Sequence, residues 1–300
     1  MGAARRLAGE ERGQSSAEWI GLVLLVALLC AALVATGVRV PGVDLARALA
    51  SRLLCAVSLG EECADPRGAL VAAFGPELAG LVLEYAPELR YERGMRALPV
   101  DFRSCRADAC AEGPERGEVT RSLAGEPVTA FVDVLDCRDP VRASPRLDCS
   151  GKRAGNLYLH YWLYYPGSAT ARALLGRAGY HPDDWESFQV RIGSGGAAAR
   201  ASSHHGYNYL HGARNWPSDL GISRRPAWGP ATRSYYIAGG SHAGHAFEFT
   251  DRRPVRWTPP DRIRLVPIPS LTRRERATRF AVTPPWRKRV SRDPEYAGTD

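Results

Sequence analysis

His181-Pro182-Asp183-Asp184-Trp185-Glu186-Ser187-Phe188-Gln189-Val190-Arg191-Ile192 is the most informative stretch of this 300-residue chain. A two-residue period puts Asp184 and Glu186 on the same face as Phe188, Val190 and Ile192. The run therefore predicts a strand whose buried face continues into a pair of carboxylates at one end. Like charges this close require a proton, an arginine or a cation between them. Arginine is abundant, at 38 of 40 basic residues, so a salt-bridged pair and a metal site both stand as readings of these carboxylates.

Strand-like runs extend in both directions from this point. Val128–Leu135, Asn156–Tyr165, Asp184–Ile192, Arg233–Ala238, Ala246–Thr250 and Arg262–Ile268 are short, rich in Val, Tyr, Phe and Trp, and separated by Gly and Pro. Many short strands with few helices predict a mainly β chain folded as a β-sandwich, here assigned to residues 85–270. Upstream, Val43–Val57 and Gly68–Tyr85 carry Ala and Leu at helical spacing and predict a short helical neck over residues 41–84. The segment 271–300 reads as a basic tail. The last fifty residues hold 13 basic and 6 acidic side chains, which accounts for nearly all of the net charge of +8. That patch suits a solvated surface or contact with anionic lipid or glycan, and nucleic acid is not an expected partner. No P-loop, Rossmann glycine pattern, zinc-finger spacing or internal repeat is present.

All seven histidines fall between residues 160 and 245. His181 precedes the paired carboxylates, and His204 and His242 lie in the Gly/Ser-flanked segments Ser203-His204-His205-Gly206 and Gly240-Ser241-His242-Ala243-Gly244. His181, Asp184, Glu186, His204 and His242 are thus the candidate ligands of a divalent cation. Their mix of oxygen and imidazole donors does not choose among Ca, Mg, Mn and Zn. His204 and His242 are also the candidate proton shuttles if such a cation activates water. Gly239-Gly240-Ser241-His242-Ala243 nearly spells a nucleophile elbow, but it lacks the last glycine and a following helix pattern. Trp162, Tyr164, Tyr165, Tyr207 and Tyr209 would serve either as core or as a sugar-stacking platform.

The N-terminus carries an address. Ile20–Val38 is nineteen residues without a charge, and as a helix it would span about 28 Å, close to the thickness of a bilayer's hydrocarbon. Arg5, Arg6 and Arg12 precede it and Arg39 alone follows closely, which predicts a single-pass cell-membrane protein with its N-terminus in the cytoplasm and its main domain outside. The cysteines agree with export. Cys30 lies in the apolar run, leaving Cys55, Cys63, Cys105, Cys110, Cys137 and Cys149 as an even six. Their short separations favour neighbour pairing, Cys55 with Cys63, Cys105 with Cys110 and Cys137 with Cys149.

Two resemblances bear on these readings. Gly13-Gln14-Ser15-Ser16-Ala17-Glu18-Trp19 ahead of the apolar run resembles the processing site of type IVb (Flp or Tad-type) prepilins. That likeness implies a cytoplasmic leader over 1–13, cleavage between Gly13 and Gln14 by a prepilin peptidase, Glu18 as the acidic fifth mature residue, a pilin-like helix over 14–40, and pilus or membrane subunits as partners. Trp19 stands where the family usually has Tyr. Further on, Tyr85-Ala86-Pro87, Tyr161-Trp162-Leu163-Tyr164-Tyr165, His181-x-x-Asp184-Trp185-Glu186, Ser203-His204-His205-Gly206 and Ile237–Ala243 occur in the order found in the vacuolar protein sorting protein sixty-two family. The H-x-x-D-W-E element is also similar to the heptad of the necrosis-inducing NLP proteins. The NLP likeness implies a β-sandwich with a divalent cation held by His181, Asp184 and Glu186. Pro182 and Asp183 depart from the heptad, and Ala173 replaces the acidic ligand expected upstream, so cytolysis is not implied. The combined expectation is a membrane-anchored, pilin-like protein that binds a glycan or an anionic lipid headgroup. Its alternatives are a metal-dependent hydrolase and a structural minor subunit of a Tad-type pilus.

Overall fold

The computed structural model describes residues 66–139, 143–168, 180–202, 228–245 and 253–296. Nearly all of them fall in one compact unit, Ala69–Asp300. The predicted leader, apolar helix and first neck helix, with Gly13, Gln14, Glu18, Cys30, Cys55 and Cys63, lie outside these residues, as do His204, Tyr207, Tyr209, Ala173 and the strand expected at 246–250. Among the described residues no helix is long and apolar enough to cross a membrane.

The described residues open with α1 (Pro66–Phe74) and α2 (Pro76–Glu84). One helix was expected over 68–85. Gly75, at φ 80°, and Pro76, at the first helical position, divide it, because proline has no N–H with which to continue the ladder. There follow β1 (Glu88–Tyr91), α3 (Asp108–Ala111), β2 (Gly117–Glu118), β3 (Thr129–Asp136), β4 (Leu157–Ser168), β5 (His181–Gly193) and β6 (Gly196–Ser202). The remainder is β7 (Gly229–Pro230), β8 (Ser234–Ile237), β9 (Gly244–His245), β10 (Arg256–Thr258), β11 (Arg264–Pro267) and α4 (Arg273–Arg276).

The chain is mainly β, with two mixed sheets. One has the order β2-β10-β1-β8-β9, the other β11-β3-β4-β5-β6-β7. In the second, β3, β4, β5 and β6 are successive antiparallel neighbours, and β11 adds in parallel to β3. The strand β4 is buried along its whole length, which explains its nearly continuous apolar and aromatic sequence: both of its faces are covered. Leu157, Leu159, Tyr161, Leu163 and Tyr165 enter a core shared with Leu89, Tyr91, Tyr235 and Ile237 of the other sheet. Trp162 and Tyr164 point the opposite way, into a second cluster with Phe102, Phe131 and Trp185. Burying each such side chain contributes roughly 1.5–3 kcal/mol. Trp162, Tyr164 and Tyr165 are at most 1% exposed, so they are core residues and not a sugar platform.

The basic segment after β11 packs onto the second cluster through Leu271, Phe280, Val282, Trp286 and Val290. It is anchored by a residue whose presence in the motif had no explanation in the sequence. Asp183 sits at φ 56° within β5, a conformation rare for non-glycine residues. Its carboxylate accepts hydrogen bonds from Tyr164 Oη at 2.7 Å, Arg106 Nη2 at 2.8 Å and the backbone N–H of Ala281 at 2.8 Å. Among the described residues two disulfides brace the loops, Cys105–Cys110 and Cys137–Cys149, both among the expected pairs.

Candidate binding site

The alternation read from the sequence holds. Asp184 and Glu186 are buried on the face of β5 that carries Phe188 and Val190 into the shared core. Asp183 and Trp185 point to the other face, toward the second cluster. The motif therefore divides its carboxylates: arginine holds Asp183, while Asp184 and Glu186 belong to the interior beside Tyr165 and Tyr235.

Opposite Asp184 stands the turn joining β8 to β9. Ala238 N–H donates to Ala243 O at 2.9 Å, Gly240 takes φ 85°, and His242 takes φ 54°. A non-glycine residue in the left-handed region is uncommon and is held there by its contacts. Two are evident here. His242 Nδ1 lies 3.0 Å from Asp184 Oδ2, and its ring stacks on Tyr165 with centroids 4.1 Å apart and planes 19° from parallel. With the carboxylate as acceptor, Nδ1 carries the hydrogen and Nε2 is left for another partner. Because β9 follows the turn directly, the strand–turn–helix of a nucleophile elbow is not formed, and Ser241 Oγ accepts from Ala243 N–H at 3.4 Å.

His181 begins β5 with its Nδ1 3.0 Å from the Asp183 carbonyl oxygen. Glu186 is 1% exposed, and His245, also buried, lies on β9. His204 is outside the described residues. Among the described residues, no three His, Cys, Asp or Glu side chains converge within reach of one metal ion. The hydroxyls of Tyr165 and Tyr235 are buried without a hydrogen-bond partner among the described residues. Burial pushes both phenols well above their usual range, reinforced at Tyr165 by Tyr91, Tyr235, Glu186 and Asp184 and at Tyr235 by Glu186 and Asp184.

His242 also lines a cleft of about 380 Å³. Asp108, Glu112, Arg93, Tyr180 and Gly167 form its other walls. Asp108 opens α3, which the Cys105–Cys110 disulfide braces. Tyr180 is one of the few large apolar side chains left open, at 37% exposure. Gly167 lies close under both, since a Cβ there would meet Asp108 Oδ1 at 2.6 Å and the Tyr180 ring at 2.7 Å and would push these side chains aside. Apart from His242, none of these residues stands out in the sequence. They come from four separate segments, and only the fold assembles them.

No family model and no curated protein matches this chain. Among solved structures, it is similar to NLPPya in complex with mannosamine, at 17% identity over 76% of this chain and 88% of that one, with a TM-score of 0.37. NLPPya in complex with glucosamine aligns at 19% identity over 73% and 83%, with a TM-score of 0.34. A structure described as a toxin fold for microbial attack and plant defense aligns at 18% over 72% and 82%, with a TM-score of 0.33. These are proteins of the kind that the H-x-x-D-W-E likeness names. The prepilin and vacuolar-sorting likenesses rest on the quoted residues alone. At this level of similarity the functional reading rests on the chain's own side chains.

Proposed function

We propose that this chain is an exported, membrane-anchored binding protein whose β domain takes a sugar-like or anionic headgroup ligand in the cleft walled by His242, Tyr180, Asp108 and Glu112. The observation that carries the reading is His242. Its ring is fixed by Asp184 and Tyr165 while the residue lines an open cleft. An exposed tyrosine ring beside the Asp108 and Glu112 carboxylates, on a wall shaped by His242, supplies what a polyhydroxylated ligand needs: an apolar face to stack on, and directional acceptors. The two disulfides support an oxidising, extracytoplasmic compartment.

A divalent cation belongs to the same proposal. Asp184 and Glu186 would hold it, with His181, His204 and His242 as further donors only if those side chains turn toward it, since no three of the described ones converge as they stand. The hydroxyls of Tyr165 and Tyr235, without a partner among the described residues, lie beside the carboxylates and fit a hard, oxygen-preferring ion. When bound, it would neutralise the buried carboxylates and offer a ligand an electrophilic contact. The hydrolytic alternative has the Asp184–His242 pair in its favour and requires turnover.

The test is binding of the full-length protein to immobilised neutral and acidic glycans and to phosphatidylglycerol vesicles. Saturable binding to one class, lost in Tyr180→Ala, supports the reading. Binding to none, or binding indifferent to that substitution, rejects it. The anchor is tested separately: N-terminal sequencing of membrane-extracted protein should begin at Gln14 and retain the apolar segment.

A further inference from the structure

We propose that a second cleft, at the opposite end of β3 and β4 from the His242 cleft, binds a sugar carrying a single anionic group. Along these strands Asp136 pairs with Leu157, whereas Ser168, at the other end of β4, pairs with His181. The second cleft opens beside Asp136, encloses about 710 Å³ and is lined by Asp133, Arg146, Ile268, Arg276, Trp286 and Arg292. It shares no residue with the first. Its volume is in the range of small-ligand sites.

Three arginines reach this cleft in two different states. The Arg276 guanidinium is locked by the carbonyls of Leu271, at 3.1 Å, and Ile268, at 2.7 Å. Arg146 and Arg292 are exposed, and among the described residues neither guanidinium is in a hydrogen bond or an ion pair. Their backbones are nevertheless fixed. Cys137–Cys149 closes the loop that carries Arg146, and the N–H of Asp148 donates to Arg292 O at 2.7 Å, joining that loop to the C-terminal segment. Arg153 pairs with Asp293 at 2.5 Å and holds the segment from the other side. Two guanidiniums on tethered backbones line the same cleft, and each has the fork geometry that suits an oxyanion.

The interior of the cleft is different. Asp133 lies on its wall, where among the described residues its carboxyl accepts only from the N–H of Val134, at 3.2 Å. Trp286 and Ile268 add an apolar wall. A carboxyl opposes a second phosphate, so polyphosphates fit poorly, while it offers an acceptor for ring hydroxyls. A ring with hydroxyls on one side and one sulfate, phosphate or carboxylate on the other satisfies the rim, the wall and the carboxyl together.

The test is calorimetric titration of the full-length protein with glucose 6-phosphate, glucuronic acid, glucose and sodium sulfate. The expected result is saturable binding of at least one acidic sugar and none of glucose, weakened at least tenfold by Arg146→Gln with Arg292→Gln and unchanged by Tyr180→Ala. Both arginines are exposed, so the double variant should melt as the wild type does. An acidic sugar bound equally by the double variant, or by neither protein, overturns the proposal. Sodium sulfate binding as tightly as the sugars reduces the cleft to a plain anion site and overturns the sugar assignment. Because Tyr180→Ala affects only the first cleft, failure here is distinguishable from failure of the function proposed above.

Discussion

His242 Nδ1 meets Asp184 Oδ2 at 3.0 Å, across 58 residues of sequence and between the two sheets. Both residues are nearly inaccessible to solvent. Removing one partner of a buried hydrogen bond typically costs about 1–3 kcal/mol, and His242→Ala also loses the ring stacked on Tyr165. His242→Ala should therefore melt well below wild type, while Asp184→Asn, which keeps a hydrogen-bonding oxygen, should lose less. Urea denaturation of the three proteins measures the difference.

The cation makes a separate prediction. If Asp184 and Glu186 hold one, elemental analysis of the purified protein should find it near one per chain, chelation should lower the melting temperature, and Asp184→Ala should abolish both effects. Substoichiometric metal with a melting temperature indifferent to chelator would remove the cation from the account.

Asp183 should act as a clamp and not as a ligand. It holds Tyr164, Arg106 and the backbone of Ala281, and Arg106 is part-exposed, so Asp183→Ala should cost roughly 1–3 kcal/mol through the lost buried bonds. The characteristic readout is local. Limited proteolysis should cut first between residues 272 and 292 in the variant and leave that segment intact in wild type.

His160, which is buried, and Asp133, which is part-buried, give opposed pH dependences. Burial, with a smaller contribution from Arg200, lowers His160 from 6.5 to about 3. Its stabilising contribution is complete above pH 6.5 and is lost as pH falls toward 3, to a limit of roughly 4–5 kcal/mol. Burial raises Asp133 from 3.8 to about 6, so its contribution is complete below 3.8 and is lost as pH rises through 6, to a limit of about 3 kcal/mol. Denaturation at a series of pH values should show that His160→Leu flattens the acid limb and that Asp133→Asn removes the loss between pH 4 and 6.

Peptide mapping without reductant should recover Cys105–Cys110 and Cys137–Cys149. Reducing the latter, which closes a loop with a sequence separation of 12, should cost about 2–3 kcal/mol and loosen the segment carrying Arg146.

The sequence revealed the elements with strong periodicity. β4 and β5 were legible because a run such as Leu157–Tyr165 has no stable alternative to a strand covered on both faces. Asp184 and Glu186 were legible because alternation assigns a face without any tertiary information. By contrast β6, Gly-Ala-Ala-Ala-Arg-Ala-Ser, has weak strand propensity and forms through pairing with β5. β1 has only four residues and is defined by neighbours far away in sequence, Arg256–Thr258 and Ser234–Ile237. The cleft residues Asp108, Glu112 and Tyr180 carry no local signal, since each is an ordinary polar or aromatic residue until β4 and the His242 turn come to face it. Asp183 looked like a departure from a motif because the backbone turn that redirects it, at φ 56°, leaves no trace in composition.

The most direct test of the central claim is calorimetric titration of the full-length protein with whichever glycan or headgroup the binding panel identifies, comparing wild type with Tyr180→Ala. The account predicts saturable binding by wild type and at least tenfold weaker binding by the variant, with the variant shown to be folded by its own melting curve. Equal affinity in the two proteins would place the ligand elsewhere and contradict the assignment of the His242 cleft.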